Sequence, residues 1–241
     1  MVAQASHSRR TDEQGRRLPL GKGVGMGMSA DAGDLEQRLR RKPKQERSRE
    51  RVEEILRVAK QLIGERGIDG MTMREIALLT GGPIASVYQY FPNKSAIIAM
   101  LYEQYSIETR MGITASLAGV SDLAGVKDAA DTILDGYYLR VAGDPAIQDL
   151  LNAIQADKEL QNMDIAETRQ QGELFCQSAA HLIAEGEHER FSRLVFLFFH
   201  LASSMVRLAI TLPADEAENM LVDFKQIIHG QLESFVCADA A

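Results

Sequence analysis

The side chains with the most chemistry to offer lie between residues 72 and 94. Arg74 carries a planar guanidinium that can donate two parallel hydrogen bonds to a guanine, and the Ser86 hydroxyl can donate or accept. Lys94 stands near the expected start of a helix, where backbone amides and the helix dipole also favour an anion. Such groups suit the base edges and phosphates of DNA. A phosphate contact or a solvated charge is an equally good interpretation of Arg74.

Two short helices and a tight turn would have to position these groups. Thr72 and Glu75 have capping-box spacing, which predicts a helix that begins just after Thr72 and ends near Leu79. Glycines and a proline then predict a turn over 80–83 and a second helix from Pro83 to about Tyr90. Asn93 can cap a further helix that runs through Tyr105. This pattern is typical of a helix-turn-helix, although many helical proteins contain similar turns.

A longer helix is predicted upstream, beginning after Pro43 and ending at Gly64–Gly67, because apolar residues recur there at spacings of three and four. Residues 1–44 are rich in Gly, Ser, Gln and charge, which predicts a disordered tail. Residues 38–51 contain eight basic and two acidic residues. This basic arm could bind phosphates or the minor groove, or it could be a solvated linker.

The ordered series over residues 47–101 resembles the DNA-binding domain of the TetR family of transcriptional regulators. The residues that carry the resemblance are Arg51, Ile55-Leu56, Ala59, Glu65-Arg66-Gly67, Thr72, Ile76-Ala77, Gly81 and the block Ser86-Val87-Tyr88-Gln89-Tyr90-Phe91-Pro92-Asn93-Lys94. The resemblance implies an all-α fold. A three-helix helix-turn-helix domain over 45–96 would be followed by a larger helical ligand-binding and dimerisation domain over 97–241.

The resemblance also implies roles for individual residues on DNA. The helix 83–90 would be the recognition helix, with Val87 and Phe91 packed inward by the helical period. The expected base contacts are Arg74, Ile84, Ala85, Ser86 and Tyr88. The expected phosphate contacts are Thr72, Gln89, Tyr90 and Lys94. For Tyr88 and Tyr90, simple packing with the hydroxyls in water is the alternative.

Two residues depart from the family pattern. Gly82 stands where relatives usually carry an apolar residue that plugs the junction of the two helices, so we expect a looser motif unless neighbours fill the gap. Ala85 replaces a frequent glycine in the recognition helix. Gly82 is the feature that supports a different function, an interaction or sensor protein whose helix-turn-helix binds DNA weakly or not at all.

In the C-terminal part the spacing of apolar residues predicts helices only, over 123–141, 146–156, 165–184, 191–211 and 214–236. The helix 191–211 is apolar nearly all round, which predicts burial on more than one side. The resemblance implies a homodimer through the last two helices; the alternative is that both are simply the core of one subunit. It also implies a small-molecule effector, whose binding residues the sequence does not identify. Large apolar residues there favour core over pocket: Met163, Phe175, Phe196 and Met205.

Charge and composition narrow the function classes. Residues 1–105 hold 18 basic and 13 acidic residues, whereas residues 106–241 hold 9 and 21, so only the N-terminal part is suited to DNA. No apolar segment of a signal peptide follows Met1, and the main apolar run is too short for a bilayer, which predicts a soluble cytoplasmic protein. Cys176 and Cys237 are expected to be reduced thiols, and no metal site, cofactor or catalytic motif is expected. The sequence motifs therefore do not support the alternative hypothesis of an enzyme with a helical fold.

Overall fold

The computed structural model describes the backbone of residues 30–235 and the side chains of residues 45–235, and it contains no β-strand within that range. The chain divides into two units, residues 1–48 and residues 49–241. The helices are α1 (Ala30–Gly70), α2 (Met73–Leu79), α3 (Ile84–Tyr88), α4 (Lys94–Ser116), α5 (Leu123–Gly143), α6 (Pro145–Ala156), α7 (Lys158–Ala179), α8 (His188–Ala209) and α9 (Ala214–Glu233). The all-α fold predicted from the sequence is confirmed.

The first helix differs from the expectation at its start. It begins at Ala30 rather than after Pro43, because the residues before the proline are mostly strong helix formers. Residues 1–29 of the expected tail lie outside the described residues. The expected break near Gly67 is confirmed, since Gly67 has φ 70° and ψ 175°, a left-handed conformation that suits glycine. The proposed boundaries at 44/45 and 96/97 stay a prediction, and the second falls inside α4.

Side-chain caps explain where most later helices begin. Each capping oxygen accepts a hydrogen bond from a backbone amide of the first turn, which would otherwise be unpaired. The capping residues are Thr72 for α2, Asn93 for α4, Asp122 for α5, Asp144 for α6 and Asp157 for α7. The predicted caps Thr72 and Asn93 are therefore confirmed.

Several predicted helix bounds were wrong. α3 begins at Ile84 with Pro83 as its N-cap, and it ends at Tyr88, two residues before the expected end, because residues 89 and 90 form a turn. α4 continues past Tyr105 to Ser116, since no glycine or proline interrupts it before residue 112. α7 begins at Lys158, not at residue 165, because Asp157 caps it. The expected end of the last helix at Val236 lies outside the described residues.

Two apolar clusters hold the unit 49–241 together. One joins the helix-turn-helix to the start of α4 and to α6 around Ile55, Leu62 and Ile97, each essentially inaccessible to solvent. The other lies at the far end of the C-terminal helices, around Phe175, Phe191 and nearby residues of α4, α5 and α9. α4 contributes to both clusters, so one helix connects the helix-turn-helix with the rest of the unit.

The penultimate helix is less buried than its composition predicts. Phe191, Val195 and Val206 are buried, but Leu197, Leu201 and Leu208 are 48%, 40% and 52% exposed. Within the single chain, α8 packs against α5, α7 and α9, and the side that carries these three leucines is left exposed. Within the described residues, Glu185–Ala209 is also long and apolar enough, by length and composition alone, to cross a membrane, a test that core helices of soluble proteins pass as well.

Candidate nucleic-acid interface and internal cavity

The α2–α3 pair is closed by a compact turn. Gly81 has φ 64°, which reverses the chain after α2 without steric cost, and the Gly82 amide donates to the Ala77 carbonyl at 3.1 Å. Thr80 is buried, and its hydroxyl donates to the Ile76 carbonyl at 2.8 Å. On α3, Val87 is fully buried and Phe91 just beyond it is 3% exposed, as predicted. The opposite side of α3 is therefore turned to solvent.

The residues expected to contact bases lie on the outside of this pair. Arg74 and Ala85 are exposed, Ile84 and Tyr88 are 42% and 48% exposed, and Ser86 is partly exposed. Arg74 has no carboxylate partner among the described side chains. By contrast, the neighbouring Glu75 pairs with Arg66 of α1. The guanidinium of Arg74 is thus available to a ligand.

The expected phosphate contacts surround the same surface. Thr72 and Gln89 are exposed, and Tyr90 and Lys94 are partly exposed. Thr72 accepts the Glu75 amide at 3.2 Å as the cap of α2. Lys94 is the first residue of α4, directly after the cap Asn93, whose side-chain Oδ1 accepts a hydrogen bond from the Ala96 amide at 2.8 Å. The dipole of a long helix therefore adds positive potential near the Lys94 ammonium.

The expected gap at Gly82 is occupied by an arginine. A Cβ atom at Gly82 would lie 2.6 Å from Nη2 of Arg51, so the guanidinium fills the space that an apolar side chain would take. Nη1 of Arg51 donates to the Thr80 carbonyl at 2.8 Å and to Glu54 at 2.6 Å. The looser motif was expected only if no neighbour filled the gap, and here α1 supplies the missing contact. Arg51 was interpreted from the sequence as a family marker and as part of the basic arm 38–51, and it was not placed at this junction.

An internal cavity of about 290 Å³ lies among the C-terminal helices. This volume lies just below the range for small-molecule sites, roughly 300–1,000 Å³. One end is apolar and is lined by residues such as Ile113, Phe175, Phe198, Ile228 and Leu232. The other end is rich in hydroxyl groups, with side chains from α4, α5, α7 and α8: Tyr102, Tyr105, Thr109, Tyr137, Arg140, Asp164 and Ser203.

Most polar groups at that end already have partners. The Tyr102 hydroxyl donates to Asp164 at 2.7 Å, and Gln155 donates to the other oxygen of Asp164 at 3.2 Å. The Tyr137 hydroxyl donates to Ser203 at 3.3 Å. The Tyr105 hydroxyl is the exception, since it is buried and makes no hydrogen bond of ordinary geometry, although the hydroxyls of Thr109 and Tyr137 lie near it.

Arg140 lies beside Tyr105 with most of its donors unused. Its guanidinium is 5.9 Å from the centre of the Tyr105 ring, and Nη1 donates to the Thr109 hydroxyl at 3.3 Å. The nearest carboxylate is that of Glu108, 3.9 Å away and 71% exposed. An ion pair of this length with an exposed partner is weak.

Burial keeps the cavity tyrosines protonated. Desolvation is the main cause that raises the pKa of Tyr105 well above its ordinary value, followed by the neighbouring Tyr137. Desolvation also raises the pKa of Tyr102, and Asp164 adds to this because its charge opposes a phenolate. The phenol groups therefore act as neutral hydrogen-bond donors or acceptors near neutral pH.

The sequence located this cavity poorly. Of the four large apolar residues considered for pocket or core, Phe175 lines the cavity, whereas Met163 and Met205 pack against the core and Phe196 lies under the Arg169 guanidinium at 4.5 Å. The cavity tyrosines carry no sequence signal beyond helical spacing. Cys176 lies outside the cavity lining, and burial raises the pKa of its thiol to about 11, which makes it unreactive. Cys237 lies outside the described residues.

Comparison with protein families identifies both parts of the chain. A model described as "Bacterial regulatory proteins, tetR family" matches residues 55–101, and one described as "Tetracyclin repressor-like, C-terminal domain" matches residues 124–236. The chain belongs to the TetR family. Together the two models span about two thirds of its length. No curated protein sequence matches the chain.

Solved structures of TetR-family proteins share its fold. A TetR-family transcriptional regulator from Streptomyces coelicolor is 22% identical with a TM-score of 0.61, and the match covers 78% of this chain and 98% of that one. A TetR-family regulator from Pectobacterium atrosepticum is 16% identical with a TM-score of 0.56, covering 78% and 95%. SmeT, the repressor of a multidrug efflux pump in Stenotrophomonas maltophilia, is 17% identical with a TM-score of 0.53, covering 78% and 91%.

Family membership fixes the general function of this TetR-family chain. It is a DNA-binding transcriptional regulator whose helix-turn-helix domain precedes a helical ligand-binding domain. Two surfaces bear on this function: the exposed side of α3, and the cavity among α4, α5, α7 and α8.

Proposed function

We propose that the protein is a homodimeric, cytoplasmic repressor without catalytic activity, which a small molecule releases from its operator DNA. The observation that carries this proposal is α4, which begins beside the DNA-facing residues and lines the internal cavity with Tyr102, Tyr105 and Thr109. A ligand in the cavity would therefore contact the helix whose first residues lie at the proposed DNA-binding surface.

The DNA contacts follow from exposure and chemistry. Arg74 would donate to a guanine, Ser86 and Tyr88 would hydrogen-bond to base edges, and Ile84 and Ala85 would contact a thymine methyl. Thr72, Gln89, Tyr90 and Lys94 would hold phosphates and fix the orientation of α3 in the major groove. Because α3 has only five residues, the turn after it supplies part of the contacts.

A second copy would cover the exposed stripe on α8. Leu197, Leu201 and Leu208 recur at spacings of four and seven, and they leave an apolar face open to solvent together with Ile227 of α9. Spacings of three, four and seven place side chains on one side of a helix, as four-helix bundles require. The proposed dimer interface is formed by α8 and α9, which correspond to the ranges 191–211 and 214–236 expected from the sequence.

Release from the operator would follow from a change in the distance between the two recognition helices of the dimer. Paired recognition helices must match successive major grooves, about 34–36 Å apart. A ligand that prefers a dimer with another spacing lowers the affinity for DNA, and DNA must lower the affinity for the ligand by the same factor. A coupling of about 1–3 kcal/mol corresponds to a 5–150-fold change.

The test is binding to DNA fragments that flank the gene of this protein, measured by fluorescence anisotropy with random DNA as competitor. We expect one fragment to bind specifically, and Arg74→Met to reduce that preference by roughly tenfold or more, since a bidentate contact contributes about 1–3 kcal/mol of discrimination. Lys158→Met is the matched control, because Lys158 is an exposed cation at the start of α7.

Equal binding to all fragments by the unaltered protein would contradict the operator-binding proposal. If Arg74→Met leaves the preference for the specific fragment unchanged, Arg74 does not contact a base. The Lys158→Met control shows how much the loss of a surface charge by itself changes binding.

A further inference from the structure

The polar end of the cavity contains hydrogen-bond donors that the protein leaves unused, on Tyr105 and Arg140. The Tyr105 hydroxyl is buried, in a residue that is only 8% exposed, and it makes no hydrogen bond within the protein. Arg140 beside it uses one donor on Thr109 at 3.3 Å. A buried donor without a partner is unfavourable, so a ligand oxygen that accepts from both groups would satisfy them.

The carboxylate in the cavity is already satisfied. Both oxygens of Asp164 accept hydrogen bonds, one from Tyr102 at 2.7 Å and the other from Gln155 at 3.2 Å. A cationic ligand would have to compete with these bonds, whereas an anionic one would meet the Tyr105 hydroxyl and an Arg140 guanidinium that is held only by Thr109 and, weakly, by Glu108. The acidic surplus of the C-terminal part therefore does not determine the charge preference of the cavity.

The opposite end of the cavity is mainly apolar, and the hydroxyls of Ser116 and Thr132 that also line the cavity donate to carbonyls of their own helices. Phe175 and Ile228 are 4% and 9% exposed, and they line this end together with Phe198 and Leu232. Burial of an apolar chain there is favourable, while a charged group would lose its hydration. A ligand that fits both ends of the cavity would therefore have a polar head group and an apolar body.

We propose that the effector is an anionic amphiphile, with a carboxylate held between Tyr105 and Arg140 and an apolar chain directed toward Phe175 and Phe198. This inference rests on the proposed function, since it names the class of ligand that the cavity of the repressor takes. It assigns Tyr105 and Arg140 as the residues that select the head group.

Three probes of the same chain length isolate the head group: decanoate, decylamine and decanol. Each is titrated by calorimetry into the full chain near neutral pH, at concentrations where the probes do not form micelles. We expect decanoate to bind roughly tenfold or more tightly than either of the others, because hydrogen bonds to a charged group are stronger than neutral ones. Tighter binding of decylamine or decanol, or binding of none of the three, overturns the proposal.

Two variants test the named residues. Tyr105→Phe removes only the hydroxyl, and Arg140→Met removes the charge while keeping much of the side-chain length. We expect each to weaken decanoate binding roughly tenfold or more and to leave decanol binding nearly unchanged. Tyr138→Phe and Lys158→Met are the controls, since neither residue lines the cavity.

Folding is monitored in the same samples by thermal unfolding. Tyr105→Phe should melt at or above the temperature of the unaltered chain, because it removes a buried hydroxyl that has no partner. Loss of decanoate binding in a stable Tyr105→Phe protein supports the head-group assignment. Full retention of decanoate binding in both variants overturns it.

The ligand class and the release mechanism can fail separately. Decanoate that binds selectively but leaves operator affinity unchanged supports the ligand class and contradicts release by this ligand. Absence of operator binding with selective decanoate binding contradicts the repressor alone. Release of the operator by decanol as readily as by decanoate contradicts the carboxylate site but not the repressor.

Discussion

The contact between Arg51 and Gly82 makes a sharp prediction about stability. Gly82→Ala places a methyl group 2.6 Å from Nη2 of Arg51, which is closer than such atoms can approach, so the guanidinium must move. Nη2 itself has no hydrogen bond to lose, but Nη1 is tied to the Thr80 carbonyl at 2.8 Å. The destabilisation therefore depends on the loss of that bond.

The magnitude follows from two opposing effects. A hydrogen bond from a charged donor to a carbonyl contributes about 1.5–3 kcal/mol, and partial exposure of the arginine lowers this. Replacement of glycine by alanine, where φ is not positive, stabilises by about 0.4–1 kcal/mol through the unfolded chain. We expect a net loss of about 1–2 kcal/mol, or roughly 2–8 °C in melting temperature for a chain of this size.

A double-mutant cycle separates crowding from a backbone effect. Arg51→Ala alone is expected to destabilise, because it opens a gap and leaves the Thr80 carbonyl without its partner. In the Arg51→Ala protein, Gly82→Ala should be neutral or stabilising, since the methyl group enters empty space. Thermal unfolding followed by circular dichroism measures all four proteins. If Gly82→Ala lowers stability equally with and without Arg51, the reasoning is wrong.

Three further predictions concern DNA, the dimer and pH. Lys94→Ala should weaken binding to all DNA sequences alike and lower the salt slope by roughly one unit per contact, whereas Lys158→Ala should not; a changed sequence preference with an unchanged slope would contradict the phosphate role. Leu201→Glu should yield monomers in sedimentation and weaken operator binding, while Leu139→Glu, on the exposed side of α5, should do neither; a dimeric Leu201→Glu protein would refute the interface. For Asp144, burial alone would raise the carboxyl pKa, but the Lys60 ammonium 2.9 Å away and the first amides of α6 outweigh it, so the pKa is lowered. The resulting stability is present above the ordinary pKa of about 3.9 and is lost as the pH falls. Asp144→Asn should therefore cost up to about 1 kcal/mol near neutral pH and nothing in strong acid, as measured by urea unfolding at several pH values; an acid-independent difference would contradict the ionic origin.

The sequence predicted local features better than distant ones. Caps such as Thr72 and Asn93 act within one turn of the chain, so their spacing alone places a helix start, and the inward side of α3 followed from the helical period at Val87 and Phe91. The filling of the Gly82 gap could not be predicted in the same way. Arg51 lies far from Gly82 in sequence, and only the packing of α1 against the turn brings the two together.

The cavity escaped prediction for a related reason. Tyr105 and Arg140 belong to different helices, and their spacing in the sequence does not distinguish a cavity wall from a core. The predicted end of α3 at Tyr90 was two residues too late. Residues 89 and 90 form a turn, but no glycine or proline between Pro83 and Pro92 marks the end of the helix in the sequence. The exposed leucines of α8 show the limit of composition, since apolar residues predict burial but not whether the same chain or a second copy supplies it.

The uninterrupted course of α4 has a mechanical consequence. From Lys94 to Tyr105 the helix contains no glycine or proline, and at a rise of about 1.5 Å per residue this stretch is roughly 16 Å long. A helix this short is stiff, so it transmits a push at Tyr105 as a tilt rather than absorbing it by bending. The signal should therefore arrive without local melting, and its strength should fall if a flexible joint, such as two glycines, is introduced between the two sites.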